Sequence, residues 1–324
     1  MATTVQLTEV RKAEVTFLVD NYTDLLLPDT ETVKRMRTTP PNAPMAEHGL
    51  SYLVTVHTAN GRHTLLMDAG ISGTCLSHNA ALLPISIAAQ LDVVQQRIED
   101  VGAIVLSHGH FDHFGGLDAF LRRQERKMPL VVHPDAFVER RLNLGPGMQV
   151  PMPTLTEASL SAAGAVLDKR QGPSTMADGH ILVCGQVART TPFEKGTPSL
   201  EAKHEDKWQQ DQFVDDQAIA FHLQDRGLVI LGGCSHAGII NTIAHIRNVT
   251  GVDQVHAVLG GFHLSGAGED LIAPTVQAMQ EIAPQLVVPT HCTGWKAIDA
   301  FAAAMPEQFV LNSVGTTYLF QGRA

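Results

Sequence analysis

The chain has 324 residues, of which 44% are hydrophobic and 17% are charged. This length and composition are typical of a globular protein with a sizeable buried core, and they exclude a wholly disordered chain. The formal net charge of −10, together with the lack of a long basic run, argues against nucleic acid as a partner.

The sequence also bears on location and on disulfides. Residues 1–12 lack the charged start and apolar stretch of a secretion signal, and no segment offers the roughly 18 uninterrupted apolar residues of a spanning helix. We therefore expect a cytoplasmic protein with no membrane partner. The four cysteines form no CxxC pair, so disulfides are not implied. The sequence leaves a homo-oligomer open.

The N-terminal part of the chain predicts strands with helices between them. Runs of β-branched and aromatic residues predict strands, and the spacing of Leu, Ile and Val predicts helices. In chain order the predicted strands are 14–20, 51–57, 63–68, 103–106 and 130–133, and the predicted helices are 80–99 and 117–126.

The character of the chain changes between residues 140 and 212, where Pro, Gly and charged residues become frequent. Long loops in compact domains often carry binding functions. We predict an insertion or lid over the site, with short strands near 165–167 and 181–187. The whole chain, 1–324, is otherwise predicted to be a single domain.

Regular structure returns in the C-terminal part. We predict a hairpin of 218–223 with 227–231, helices at 239–249, 271–282 and 297–304, strands at 255–259 and 286–289, and a last strand region at 309–320. Both halves of the chain place strands before a polar cluster. This order indicates stacked sheets with helices outside, an α/β layered fold.

The strongest chemical signal is the sequence SHGHFDH at residues 107–113. Imidazole and carboxylate groups are common ligands of zinc and of neighbouring metals. The segment follows an apolar strand and precedes Gly115-Gly116, which allow a tight bend. A histidine-rich surface loop is the alternative, but the residue types, their spacing and the strand-to-helix context favour a metal centre.

The ten residues SHGHFDHFGG at 107–116 resemble the signature of the metallo-β-lactamase superfamily. LLMDAG at 65–70, GCSH at 233–236 and PTHC at 289–292 resemble further elements of it. The closer resemblance is to the dihydropteroate-synthase-related metallo-β-lactamase-like proteins, through EHGLS at 47–51, NA at 79–80, DDQA at 215–218, GCSHAG at 233–238, GGFHL at 260–264 and THCTG at 290–294. The resemblance implies an αββα sandwich, here with long insertion or lid loops.

The resemblance also implies a dinuclear centre. His108 and His110 would hold one ion, and a second group would hold the other; its members are Asp112, His113 and His291. Cys234 would bridge the ions or bind the second, with His236 as its rival. A buried apolar role for Cys234 is the alternative. The expected cofactor is zinc, one or two ions, with manganese or iron as alternatives.

The sequence departs from the superfamily at one ligand. The superfamily usually has a histidine in the turn before the hairpin, where this chain reads DQFVDD at 211–216. Asp215 or Asp216 would substitute for it, or His236 would turn towards the first ion.

Other polar residues have alternative interpretations. Asp68 is expected to orient the ligand loops, and His263 to bind substrate or carry protons, with a supporting role as its alternative. Cys292 is expected to pack in the core, because neighbouring side chains of an extended chain point in opposite directions. Glu194 would contact substrate or, as we expect, remain solvated. Ordinary surface or packing roles are expected for His204, His222 and His245.

These ligands predict an enzyme, a metal-dependent hydrolase that acts on an ester, lactone or phosphoester of a small molecule. A metal lowers the pKa of bound water towards neutrality and polarises the electrophile. Asp112 would orient that water, and His263 or His236 would protonate the leaving group. One alternative is a non-hydrolytic, pterin-related transferase or condensing enzyme, which the name of the branch suggests. The other is a binding or sensing protein on a degenerate site, which the missing histidine suggests.

Overall fold

The structure is a computed structural model that describes residues 4–323. Its strands are β1 (Lys12–Val19), β2 (Val33–Lys34), β3 (Ser51–Thr58), β4 (Gly61–Met67), β5 (Val101–Val105), β6 (Met128–Val132), β7 (Arg140–Asn143), β8 (Gln149–Pro151), β9 (Ala165–Lys169), β10 (Ser174–Met176), β11 (Ile181–Val183), β12 (Leu200–His204), β13 (Lys207–Gln210), β14 (Ile219–Leu223), β15 (Gly227–Leu231), β16 (Val255–Gly261), β17 (Leu286–Thr290) and β18 (Thr317–Gln321). Its α-helices are α1 (Gly73–Leu82), α2 (Ile87–Gln90), α3 (Phe111–Phe114), α4 (Leu117–Leu121), α5 (Glu157–Ala163), α6 (Ile239–Thr250), α7 (Glu269–Ile282) and α8 (Trp295–Ala304).

The strands form two large sheets and one small sheet. The first large sheet has the order β2-β18-β1-β3-β4-β5-β6-β9, and the second has the order β10-β11-β14-β15-β16-β17. Strands β4, β5 and β6 run parallel in the first sheet, as do β15, β16 and β17 in the second. The small sheet has the order β13-β12-β7-β8.

The large sheets stack face to face because their strands are apolar on both sides. In β15, Val229 and Leu231 pack between the sheets, whereas Leu228 and Ile230 pack beneath α6, α7 and α8. The outer face of the first sheet is covered in the same way by α1, α4 and α5. Alternation of side chains along a strand thus supplies two core layers at once. The predicted αββα sandwich is confirmed.

Two predicted helices differ from their apolar spacing. The helix predicted over 80–99 is wrong for most of its length, because α1 ends at Leu82, a 3-10 turn that contains Pro84 follows, and the four-residue α2 ends before Asp92, which has a φ of 59°. The helix predicted over 117–126 ends as α4 at Leu121, before a run of charged residues. The last strand region, predicted over 309–320, is a strand only in β18.

The region from 140 to 212 contributes to all three sheets. The strand predicted near 165–167 is confirmed as β9, and of the strand predicted over 181–187 only Ile181–Val183 is a strand, β11; the two extend the large sheets. The small sheet arises entirely within the region, and Arg141 lies 4.2 Å above the ring of Trp208 on it. A lid role for this sheet stays a prediction. Among residues 4–323, no helix has the length and apolar character needed to cross a membrane.

The expectation of a solvated Glu194 is wrong, because its side chain caps a helix. The residue is only 6% exposed. Its carboxylate accepts hydrogen bonds from the backbone N–H groups of Ile240 (2.9 Å) and Asn241 (2.8 Å) in the first turn of α6. Those N–H groups have no partner within the helix, and the helix dipole favours a negative charge there. Glu194 therefore fixes the helix that follows the Cys234 to Gly238 turn.

Candidate metal centre

The loops that follow the parallel strands of both sheets converge at one edge of the sandwich. Just beyond β4, β15, β16 and β17, four non-glycine residues adopt left-handed backbone conformations: Asp68 (φ 61°), Ser235 (55°), His263 (46°) and His291 (53°). Each such residue costs about 1–3 kcal/mol, and such strain is typical of functional sites. These turns bend the chain at the strand ends, so that distant polar side chains meet.

The histidine-rich turn after β5 is held in place by Asp68. The Asp68 carboxylate accepts hydrogen bonds from the backbone N–H and the hydroxyl of Ser107, each at 2.7 Å, and from Nδ1 of His113 at 2.7 Å. Asp68 is fully buried. The bonds leave Nε2 of His113 directed at Sγ of Cys234, 3.1 Å away. The expectation that Asp68 orients the ligand loops is confirmed.

We expect Asp68→Asn to weaken metal binding at His113 by about 10- to 100-fold, which is typical for loss of a carboxylate that supports a metal-ligating histidine. Asparagine offers one acceptor oxygen, and its amide group would face one of the present donors. Competition with a chelator of known affinity measures the change. Asp178→Asn is the matched control, because Asp178 contacts His63 at the surface, at 3.3 Å. Equal metal affinity in the two variants would contradict the prediction.

His236 joins His108, which lies 128 positions away in the chain, and the neighbouring His110. Nε2 of His236 lies 3.2 Å from Nε2 of His108, and the ring centroid of His110 lies 4.8 Å from those of the other two. The ligand atoms of His108, Cys234 and His236 lie within 4.8 Å of one another. Phe213 stacks on His236 at 3.9 Å and fixes its ring. His236 thus lies beside His108 and His110, at the position for which the sequence offered Asp215, Asp216 or His236.

Asp215 and Asp216, the rivals of His236, are engaged elsewhere. Asp215 accepts hydrogen bonds from Arg140 (2.7 Å) and from the backbone N–H of Gly109 (2.8 Å). Asp216 accepts one from the backbone N–H of Ala237 (2.9 Å). Both are buried, and neither joins a cluster of ligand atoms within the part of the chain that the structure describes. They support the backbone of the turns that carry the histidines.

A second group comprises Asp112, His113, Cys234 and His291, whose ligand atoms also lie within 4.8 Å of one another. Sγ of Cys234 lies 3.4 Å from Nε2 of His291. Oδ2 of Asp112 lies 3.4 Å from Nε2 of His291 and 3.8 Å from Nε2 of His113. Cys234 belongs to both groups and lies between them.

Sequence reasoning missed two residues that support this second group. Oδ1 of Asn21 lies 3.1 Å from Nδ1 of His291. Nε2 of His48 lies 3.3 Å from Oδ2 of Asp112. His48 belongs to the motif EHGLS at 47–51, which is the signal that points to it. Asn21 only follows a strand, and nothing local in the sequence distinguishes it.

Burial dominates the pKa values of the three neighbouring histidines. It lowers the pKa of His108, of His110 and of His236 well below the usual value, and nearby imidazoles add to the effect. Metal ions bind the neutral form of imidazole. These three rings are therefore in the protonation state that a metal requires.

In the second group, the charges of neighbouring side chains outweigh the effect of burial on the pKa values. Burial acts to lower the pKa of His113, but the carboxylates of Asp112 and Asp68 outweigh it and raise that pKa to about 9. Burial acts to raise the pKa of Asp112, but His113 and His291 outweigh it and lower that pKa. Asp112 is therefore ionised, which is the form that a metal-binding carboxylate takes.

Cys292 faces the site, so the prediction that it packs in the core is wrong. Its Sγ, that of Cys234 and a ring nitrogen of His263 lie within 4.8 Å of one another. The alternation on which the prediction depends stops at Thr290, the last residue of β17. His291 has a φ of 53° and begins a 3-10 turn, which rotates the next side chain towards Cys234.

The described residues fit a bound metal. In His108, His113 and His291, Nδ1 contacts a supporting side chain, and this turns Nε2 towards the other ligand atoms. Nε2 of His110 and Nδ1 of His236 are buried without a hydrogen-bond partner in the protein. The donor set of imidazole, carboxylate and thiol suits zinc and its neighbours.

A cavity of about 480 Å³ opens over the second group. His110, Asp112, Cys234, His263 and His291 form its polar floor. Aromatic and apolar walls surround that floor; they include Tyr22, Phe111, Met152, Leu200, Trp295, Ile298 and Leu311. Two of these, Met152 and Leu200, come from the region 140–212.

Comparison with known proteins gives a family-model match and a related sequence. A family model described as "Metallo-beta-lactamase superfamily" matches residues 45–146, which include the histidine-rich turn. The chain is 28% identical over 277 residues to a 7,8-dihydropterin-6-methyl-4-(beta-D-ribofuranosyl)-aminobenzene-5'-phosphate synthase from Methanocaldococcus jannaschii, and the match covers 83% of this chain and 88% of that protein.

Solved structures show the same fold. Tm1679, described as a metal-dependent hydrolase of the beta-lactamase superfamily, superimposes with a TM-score of 0.68 at 21% identity, covering 94% of this chain and 98% of Tm1679. The metallo-beta-lactamase fold protein YhfI from Bacillus subtilis has a TM-score of 0.50 at 12% identity, covering 95% of this chain and 99% of YhfI. At these identities the likeness extends to the fold alone.

Proposed function

We propose that this chain is a metal-dependent hydrolase that cleaves an ester or lactone of a small molecule. A model of the metallo-β-lactamase superfamily matches residues 45–146, which include the histidine-rich turn, and this supports the proposal. The observation that carries the proposal is the convergence of two ligand groups on Cys234 at the floor of a cavity of about 480 Å³. Sites for small molecules have volumes of about 300–1,000 Å³.

The cavity lining favours a carbonyl substrate over the phosphoester that the sequence left open. Among the described residues that line the cavity there is no lysine or arginine, and Asp112 is the only carboxylate. Phosphate groups are usually bound by such cationic side chains. Tyr22 and Trp295 instead offer aromatic surface, and Trp295 is 64% exposed. This lining suits the body of an uncharged ester.

The proposed roles follow from the groups. His108, His110 and His236 would hold one ion and Asp112, His113 and His291 the other, with the Cys234 thiolate between them. When bound, the metal would supply an acidic water and polarise the substrate carbonyl.

Side chains of the protein would orient the attacking water and protonate the leaving group. Asp112 would orient the attacking water through its carboxylate. His263 lines the cavity, and its buried Nδ1 has no partner in the protein. It would donate a proton to the leaving oxygen as the carbonyl C–O bond breaks. His236, the other predicted proton donor, lies among the proposed ligands instead.

Hydrolysis in ¹⁸O-labelled water tests the proposal, with a panel of aryl esters and lactones as substrates. The carboxylate product is expected to carry the label. His110→Ala should lower turnover at least about 100-fold, because a metal contributes several kcal/mol of charge stabilisation. Its fold should be unchanged by circular dichroism, and His204→Ala, outside the site, should remain active. An unlabelled product, or full activity of the His110 variant, would refute the proposal.

The second candidate is a non-hydrolytic condensing enzyme. It is favoured by the 28% identity to the methanogen synthase, which extends over 83% of this chain. Such an enzyme would join an aryl amine to an activated pterin methyl carbon, forming a C–N bond and expelling the leaving group. Incubation with that pair would give a coupled product without solvent oxygen, while esters and lactones would remain intact.

A further inference from the structure

Cys234, Cys292 and His263 form a third group, which shares only Cys234 with the two described above. Their ligand atoms lie within 4.8 Å of one another, yet Cys292 and His263 belong to neither of the other groups. Cys234 and Cys292 are buried, and all three side chains line the cavity. Nδ1 of His263 is buried and has no hydrogen-bond partner in the protein.

The backbone makes room for this group. A Cβ atom on Gly261 would lie 2.6 Å from Sγ of Cys292 and 2.6 Å from the carbonyl oxygen of Gly233, so only glycine leaves the thiol its position. Strain contributes as well, because His263 and His291 both have left-handed backbone conformations, with φ of 46° and 53°. Three consecutive strand ends, those of β15, β16 and β17, thus bring two thiols and an imidazole together.

This donor set differs from the other two in its softness. Two cysteines and one histidine are ligands that zinc and other thiophilic ions prefer, and structural zinc sites close with a fourth protein ligand. Here three protein ligands face a cavity, so a fourth position is left for solvent or for a ligand in the cavity. The geometry therefore matches an open zinc-type site, because two sulphur atoms and one imidazole nitrogen lie within 4.8 Å of one another.

We propose that Cys234, His263 and Cys292 form a further, sulphur-rich cation position that takes a thiophilic divalent ion such as Zn²⁺ or Cd²⁺. Because Cys234 also belongs to the other two groups, an ion here draws on the same thiol and either shares it or displaces a neighbour. This inference does not depend on the reaction that the protein catalyses. An ion held here would occupy His263, so the cation position and the proton-donor role proposed for His263 exclude each other in one molecule.

Titration of the metal-free protein with Cd²⁺ tests the proposed cation position, because cadmium–thiolate bonds absorb in the ultraviolet. The chain has four cysteines, so each is replaced by serine in turn. We expect Cys292→Ser to lose about half of the absorbance at saturation, since one of two thiolate ligands is removed. Cys75→Ser and Cys184→Ser, at buried thiols outside the site, should equal the wild type. His263→Ala should weaken Cd²⁺ binding without removing the absorption.

Either of two results would overturn the proposal: a Cys292→Ser protein that absorbs like the wild type, or an equal loss in the two control variants. If Cys292→Ser does not fold, alkylation of the wild-type protein gives the answer. Mass spectrometry would then follow the reaction of Cys292 with iodoacetamide. Cd²⁺ is expected to slow that reaction, and an unchanged rate would be equally decisive against the cation position.

Discussion

His236→Ala is expected to release one of two bound ions and to lower turnover by at least about 1,000-fold. The substitution removes the Nε2 atom that lies 3.2 Å from that of His108. Two histidines and the shared Cys234 thiolate would then remain for the first ion, so that ion would lose a ligand that it does not share with its neighbour. The lost charge stabilisation is several kcal/mol, and about 1.4 kcal/mol corresponds to each factor of ten in rate. Elemental analysis of the purified protein and steady-state kinetics measure the two effects.

Asp216→Asn is the matched control for this experiment. Asparagine keeps an oxygen to accept the hydrogen bond from the backbone N–H of Ala237, but it removes a rival carboxylate ligand. The control variant is expected to retain both ions. The opposite pattern, with two ions in His236→Ala and one in Asp216→Asn, would assign the ligand to the aspartate.

Arg140→Met is expected to lower the free energy of unfolding by about 3–5 kcal/mol, which is typical for removal of one partner from a buried ion pair. Arg140 lies 2.7 Å from Asp211 and 2.7 Å from Asp215, and its side chain is only 3% exposed. Methionine would fill part of the space but leave two carboxylates buried without a counter-charge. Asp215 also accepts the hydrogen bond from Gly109, so the histidine-rich turn would loosen with it. Urea denaturation followed by circular dichroism measures the change.

Two further variants separate charge from packing. Arg122→Met breaks an exposed ion pair with Asp118, at 2.9 Å, and should cost no more than about 0.5 kcal/mol. Adding Asp211→Asn and Asp215→Asn to Arg140→Met neutralises the stranded carboxylates and should restore part of the stability. A loss below about 1 kcal/mol in Arg140→Met alone would contradict the buried-pair argument.

Features that depend on neighbours in the chain were accessible from the sequence. The strands of both sheets could be predicted because apolar and β-branched runs mark them, and the turn at 107–113 because its ligands are contiguous. Asp68 and His291 could be placed beside that turn only through the family resemblance. The shortened helices show the limit of periodicity, since Pro84 interrupts an apolar pattern that is otherwise helical.

Features that depend on distant parts of the chain could not be predicted. The sequence predicts a solvated charge at Glu194, because its partners, the N–H groups at the start of α6, lie 46 and 47 positions away. Cys292 reads as a core residue because alternation along a strand is the natural assumption, and a left-handed His291 breaks it.

By itself, the sequence determined that this protein has a layered α/β fold and carries a histidine- and aspartate-rich turn, because both features depend on residues that are close together in the chain. Only the tertiary structure decided that His236 rather than Asp215 or Asp216 stands beside His108. It also decided that Cys234 lies at the junction of three ligand groups. The physical reason is that the ends of parallel strands from two sheets meet at one edge, where left-handed turns aim side chains that are far apart in the chain at one another.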